Sequence, residues 1–128
     1  MIEIIIILLL FLSDNVLTHY QAFILKKKGC FFPRMEQNPL VRIFLKRFSL
    51  GNSMIITFIW QSSIVLLMFW ILAWGGLSLY PLWLLMVGMT VIVNMYHSIY
   101  IRGYKAMWDK EEYWKMTRMI VKKFGDEM

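Results

Sequence analysis

Three long apolar segments constrain this chain more than any other feature of its sequence. They cover about residues 2–25, 53–74 and 80–101. A helix needs about 20 apolar residues to cross the roughly 30 Å hydrocarbon core of a bilayer, and each segment is long enough. Hydrophobic residues make up 59% of the 128 positions, more apolar surface than a soluble domain of this length buries. The sequence therefore predicts an all-α integral membrane protein with three transmembrane helices.

Glycine and proline mark the ends of the second and third segments. Gly75 and Gly76 follow the second segment, and Pro81 suits the first turn of the third. The connection is only GGLSL, residues 75–79, which predicts a tight hairpin. At the other end of the second segment, residues 51–53 (GNS) are expected to cap the start of the helix.

The positions of the basic residues predict the orientation. All fourteen Lys and Arg lie either in segment 26–52 or in the tail after residue 101, and the hairpin carries none. Because basic segments stay in the cytosol, the N-terminus and the hairpin are expected outside a cell membrane, with both basic segments inside. The net charge of +6 therefore indicates anionic lipid headgroups, and not nucleic acid, as the partner. The residues expected at the membrane surface are Lys26, Lys27, Lys28, Arg42, Lys46 and Arg47.

Two shorter amphipathic helices are predicted on the cytosolic side. Asn38 is a good N-cap and Pro39 a good first residue for a helix whose apolar residues recur at helical spacing within segment 26–52. The tail is also amphipathic from residue 104 to 124. It either continues the third span or turns at Gly103, and it suits a lipid surface or a protein partner equally. We therefore expect a membrane domain over residues 1–101 and a cytosolic tail over residues 102–128.

The predicted spans also carry polar residues. Pairs three or four residues apart share one helix face. On the first span, Asn15 and His19 share one face, which lies beside the face formed by Asp14 and Thr18. The pairs expected to turn inward and to form one polar cluster are Asp14 with Thr18, Thr57 with Gln61, and Asn94 with His97.

The sequence leaves two interpretations of this cluster open. A carboxylate inside a bilayer is costly unless it has partners or water or becomes neutral. Asp14 and the amides could fasten helices to one another, or they could line a functional pocket open to the cytosol. A metal or catalytic site at Asp14, Glu36 and His97 is a further alternative. No H-E-x-x-H, G-x-S-x-G or phosphate-binding glycine loop is present, so we predict no catalytic, metal or cofactor site.

Four sequence elements follow one another in a distinctive order: Asp14-x-x-x-Thr18, a basic turn with Gly29, Glu36-x-Asn38-Pro39, and Asn94 late in the last span. In this combination the chain resembles a family of small prokaryotic membrane proteins of unknown function. The resemblance covers most of residues 10–100, with a longer loop between Gly29 and Glu36. It implies an architecture and candidate positions, and it implies no activity. By topology alone, the chain is also similar to membrane-protein insertases, which have a longer coiled coil between their first two spans.

Glu36 has three interpretations from its position. It lies two residues before Asn38, where the N-terminus of the predicted helix favours a carboxylate. It could instead pair with the lysines at 26–28, or point toward the cytosolic mouth of the face formed by Asp14 and Thr18.

These observations favour a non-enzymatic function. We expect an accessory or scaffold protein that acts through its polar cluster and basic helices, as a homo-oligomer or with a membrane-protein partner. The first alternative is a cytosol-open polar groove used for transport or for membrane-protein insertion. The second is the intramembrane enzyme or metal site described above.

Overall fold

The structure is a computed structural model that describes residues 1–31 and 39–127, with side chains through residue 123. Within these residues the chain is all-α, as the sequence predicts. Five helices follow one another along the chain, and the described residues contain no strand: α1 (Ile2–Lys27), α2 (Pro39–Arg47), α3 (Leu50–Trp74), α4 (Tyr80–Ala106) and α5 (Glu111–Glu127). Two residues of the predicted cluster, Glu36 and Asn38, lie outside the described residues.

Helices α1, α3 and α4 are each long and apolar enough to cross a membrane. Most large apolar side chains on them are exposed on the outside of the bundle, as expected for helices whose solvent is lipid. The three helices confirm the predicted span count and are consistent with a multi-pass membrane protein.

Helix α1 packs against both α3 and α4. Near the hairpin of residues 75–79, Ile7 of α1 is buried with Val65 and Phe69 of α3, and Trp83 of α4 packs against them. We call this the hairpin end. At the opposite end, where α1 and α4 finish and α3 begins, lie the basic segments, and we call this the basic end. Helix α1 thus lies between α3 and α4, and this position matters for the site because α1 contacts both helices.

Two helices end in the same motif, which requires a left-handed residue. After α1, the Cys30 N–H donates to Leu25 O at 2.8 Å and the Gly29 N–H donates to Lys26 O at 3.1 Å. Gly29 has φ +70°, where glycine has no Cβ penalty. Gly76, with φ +68°, ends α3 in the same way, so the predicted stop after the second span is confirmed.

The start of α3 differs from the expectation. Ser49, and not segment 51–53, caps the helix, and its hydroxyl accepts from the Asn52 N–H at 3.4 Å. The helix therefore begins at Leu50, and Ser53 lies inside it with a fully buried side chain. Ser53 lies four positions after the cap, about one helical turn, and on the face that meets α1.

The two shorter helices pack at the basic end. Val41 and Leu45 of α2 are buried, and α2 contacts α3. Helix α4 continues through Gly103 to Ala106, so the turn lies at residues 107–110 and not at Gly103. Helix α5 then folds back onto the bundle because the fully buried Trp114 packs in a core with residues of α1 and α4. Its indole N–H also donates to Met107 O at 2.7 Å, which closes the turn.

Candidate functional site

The polar residues of α1 form two faces directed at two different helices. Asn15 and His19 face α3, whereas Thr18 and Gln21 face α4. Consecutive residues are about 100° apart on a helix, so adjacent residues of a central helix can contact two different neighbouring helices. The single cluster expected from the sequence is therefore divided into an α3-side cluster and an α4-side cluster.

The α3-side cluster begins with Asn15, whose side chain is 2% exposed. Its Nδ2 donates to Gln61 Oε1 at 2.7 Å and to Phe11 O, one turn back on α1, at 2.9 Å. Because a buried amide with unsatisfied hydrogens costs free energy in a bilayer, this pairing favours contact between α1 and α3.

His19 continues the α3-side cluster one turn further along α1. Its Nδ1 lies 2.8 Å from Asn15 O, and its Nε2 lies 3.0 Å from Ser53 Oγ. A carbonyl oxygen only accepts, so Nδ1 carries a hydrogen. In the neutral ring Nε2 then accepts from the Ser53 hydroxyl. Ser53 and the buried Thr57 are small residues four apart on α3, a spacing that allows two membrane helices to approach closely.

The α4-side cluster is centred on His97. Its Nε2 lies 3.1 Å from Thr18 Oγ1 and 3.5 Å from Asp14 Oδ1, while its Nδ1 lies 2.7 Å from Gln21 Oε1. The Gln21 oxygen is an acceptor, so Nδ1 carries a hydrogen here as well. One imidazole thus contacts three polar side chains of α1.

Asp14 of α1 and His97 of α4 form a pair between the two helices, with Asp14 Oδ1 3.5 Å from His97 Nε2. Their side chains are 20% and 22% exposed, so the pair lies at the edge of the bundle's interior. Because a carboxylate inside a membrane needs a polar partner, the contact with His97 explains how α1 accommodates an aspartate.

The remaining predicted residues lie around these clusters. Thr57 is 2% exposed and lies on α3 between Ser53 and Gln61, in the stripe that faces α1. The Nδ2 of Asn94 donates to Leu10 O of α1 at 3.4 Å. Within the part of the chain that the structure describes, Thr57 Oγ1 and Asn94 Oδ1 are buried without a hydrogen-bond partner.

The predicted membrane-surface residues lie at the basic end and differ in their exposure and contacts. Lys26, Lys27, Lys46 and Arg47 are exposed, and Arg42 is half-buried. Lys28 is held in place: its Nζ donates to Trp108 O at 2.7 Å and lies 4.0 Å from the centre of the Trp108 ring. This lysine therefore joins the end of α1 to the turn before α5.

Metal-ligating side chains do not gather around these residues. Within residues 1–31 and 39–123, no three His, Cys, Asp or Glu side chains lie close enough to hold a metal ion together. Cys30 is fully buried near Trp114, and burial raises the pKa of its thiol, which disfavours the reactive thiolate.

The sequence predicts that Asn15 and His19 share a face but gives them no partner. It predicts Ser53 only as part of a helix cap and gives no role to Gln21. A signal for the first pair was present. Phe11, Asn15 and His19 recur every four residues on α1, and Ser53, Thr57 and Gln61 do the same on α3. Two matching stripes of this period can pack along each other in antiparallel helices.

Searches of protein-family models, of curated proteins and of solved structures find no match to this chain. The resemblance to small prokaryotic membrane proteins stays a prediction.

Proposed function

We propose that this chain is a non-enzymatic accessory or scaffold protein of the cell membrane, with its N-terminus outside and its basic end in the cytosol. The observation that carries the proposal is that the polar side chains of α1 are hydrogen-bonded to both neighbouring spans. Groups that satisfy one another fasten the helices, whereas a substrate-handling face needs groups directed at open space. The clusters thus support a rigid three-helix bundle whose outer surfaces are left for partners.

Helix α5 offers the most distinctive of these surfaces. Met116, Met119 and Ile120 are 61%, 65% and 51% exposed, although Trp114 on the same helix is fully buried. Methionine is flexible and polarizable, which suits a surface that repacks against a partner. Exposed lysines at 115, 122 and 123 accompany this methionine face. We propose that the methionine face binds a membrane-protein partner or a second copy of this chain.

Purification of the full chain in a mild detergent tests this function. We expect a particle heavier than the 15.4 kDa monomer, measured by native mass spectrometry. Replacing two residues of the methionine face, M116Q/M119Q, is expected to reduce the assembly. The charge-neutral variant E112Q/K122Q on the same helix is the control and should assemble normally. A monomeric wild-type chain without a co-purifying protein would contradict the proposal.

Labelling of single cysteines tests the proposed orientation. In a Cys30→Ser background, we expect Leu77→Cys in the hairpin to react with a membrane-impermeant maleimide on intact cells. Lys110→Cys, in the turn before α5, should react only after the membrane is opened. The reverse pattern would overturn the orientation.

The first alternative is a cytosol-open polar groove for transport or insertion. One observation favours it: buried oxygens of Thr57, Ser62 and Asn94 have no hydrogen-bond partner among the described residues, so water or a polar solute could satisfy them. Asp14→Asn separates the two functions. If the clusters only fasten helices, the substitution lowers the thermal stability of the protein. If they handle a solute, the protein remains stable and assembled but loses flux in proteoliposomes.

A further inference from the structure

A groove between α1 and α4 at the basic end has the lining of an anion site. Its volume is about 280 Å³, and it is lined by Tyr20, Phe23, Ile24, Lys27, Lys105 and Trp108. Both charged residues are lysines and the others are apolar or aromatic. The groove therefore combines two positive charges with an otherwise apolar and aromatic lining.

The two lysines are held over neighbouring rings. Lys27 Nζ lies 5.0 Å from the centre of the Phe23 ring, and Lys105 Nζ lies 5.1 Å from that of Tyr20. The two rings are stacked with their centroids 6.4 Å apart. Each ammonium group therefore lies over an aromatic ring that lines the same groove.

Two ammonium groups that line one groove give it positive charge, which attracts an anion. Both lysines are exposed, and no carboxylate of the described residues forms a salt bridge with either. Lys28, by contrast, is bonded to Trp108 and holds this wall of the groove in place. Within residues 1–31 and 39–123, the positive charges of Lys27 and Lys105 are therefore not offset by a paired carboxylate.

We propose that this groove binds the phosphate headgroup of an anionic glycerophospholipid. The groove lies where α1 and α4 end, the level at which headgroups meet a membrane-spanning bundle. A groove of about 280 Å³ has room for a headgroup, while the acyl chains extend outside it. The exposed rings of Tyr20 and Phe23 give those chains an apolar surface toward the membrane. This site deepens the proposed function and rests on the basic end lying at the headgroup level.

A lipid titration of the purified full chain tests the proposal. Native mass spectrometry would count bound phosphatidylglycerol, with phosphatidylcholine as the neutral comparison. We expect the wild-type chain to prefer the anionic lipid and the K27Q/K105Q variant to bind it at least about tenfold more weakly. K27R/K105R keeps both charges and should retain the preference.

The matched control is K46Q/K115Q, which removes the same charge from two exposed lysines outside the groove. An equal loss in this variant would mean that the basic end attracts lipid diffusely, and the proposed site would be overturned. Unchanged binding by K27Q/K105Q would overturn it too. Glycerol phosphate binding as tightly as the lipid would show a soluble-anion site instead. The titration measures lipid preference and not assembly. A chain that purifies as a monomer without a co-purifying protein, yet prefers anionic lipid through Lys27 and Lys105, would therefore contradict the scaffold function and leave this site intact.

Discussion

At the scale of single residues, Asn15 connects α1 to α3 through its 2.7 Å hydrogen bond to Gln61. Both amides lie in segments long and apolar enough to span a membrane, where an unpaired amide cannot turn to water. Interhelical hydrogen bonds in membranes have modest energies, because the unfolded chain in the bilayer also finds partners. The main effect of the pair is therefore to specify which faces of α1 and α3 meet, and its contribution to the free energy of unfolding is modest.

We predict measurable coupling between these two residues. In a double-mutant cycle of Asn15→Ala and Gln61→Ala, the coupling free energy should be about 0.6–1.7 kcal/mol. Reversible unfolding in detergent micelles would measure it. Ser63 is the control, because its hydroxyl is exposed and bonds to Ile59 O of its own helix. Coupling between Asn15 and Ser63 as strong as that with Gln61 would contradict the structure.

Gly29 allows a second prediction at this scale. A side chain at φ +70° costs roughly 1–2 kcal/mol, and a Cβ would lie 3.4 Å from Arg118 Cδ. Gly29→Ala should therefore lower the free energy of unfolding. Gly103 lies within α4 with nothing near its missing Cβ, so Gly103→Ala should leave stability unchanged or raise it by up to about 1 kcal/mol. Thermal unfolding would distinguish the two variants, and equal shifts would refute the assignment.

At the scale of elements, α5 is part of the bundle. Trp114 packs with Ile24, Leu25, Cys30 and Ile101, so one aromatic residue joins α5 to α1 and α4. Arg118 adds two polar contacts: it donates to Lys28 O at 3.0 Å and pairs with Glu111. The sequence predicted a helical tail but could not decide between lipid and protein as its support. Because Trp114 is buried against α1 and α4, the inner face of α5 packs on the chain's own helices.

The reactivity of Cys30 reports whether α5 is docked. Burial raises the pKa of this thiol, so the thiolate that reacts with maleimide forms only as the pH rises above the ordinary thiol value. We expect slow labelling at neutral pH in the wild-type chain and much faster labelling in Trp114→Ala, which opens the core. Met116→Ala, on the exposed face of α5, should label as slowly as the wild type. Fast labelling of all three proteins would mean that α5 does not cover Cys30.

At the scale of the whole molecule, the central position of α1 organises the bundle. The hairpin joins α3 to α4, yet the polar side chains of both helices bond to α1. Apolar residues close the bundle at the hairpin end, and Trp114 closes it at the basic end. The polar clusters lie between these two apolar cores, where hydrogen bonds specify which helix faces meet.

Chemical crosslinking would test this arrangement. In a Cys30→Ser background, a short bifunctional thiol reagent should link His19→Cys to Ser53→Cys, and Thr18→Cys to His97→Cys. Thr18→Cys with Ser53→Cys is the control pair, since Thr18 faces α4, and it should link poorly. Efficient linking of the control would mean that α1 does not separate two distinct faces. After proteolytic cleavage of the chain between the two cysteines, the crosslinked fragments stay joined and migrate together in gel electrophoresis, which measures each link.

The sequence by itself determined the helices, because their signals are local. Length and hydropathy predicted three spans, Gly76 ended the second, and helical spacing predicted the two shorter helices. Local signals failed at the start of α3, where both Ser49 and Ser53 are good capping residues. Ser49 caps the helix and Ser53 bonds to His19, a residue far away in the sequence.

Only the tertiary structure decided which polar faces meet. Asp14 with Thr18 and Asn15 with His19 are adjacent faces of one helix, and no pattern within α1 ranks them. Packing turned one face to α3 and the other to α4, because α1 lies between the two and an unpaired amide or imidazole in a bilayer is costly on either side. Helix formation depends on neighbours in the sequence, whereas the partner of each polar side chain depends on how the helices are assembled.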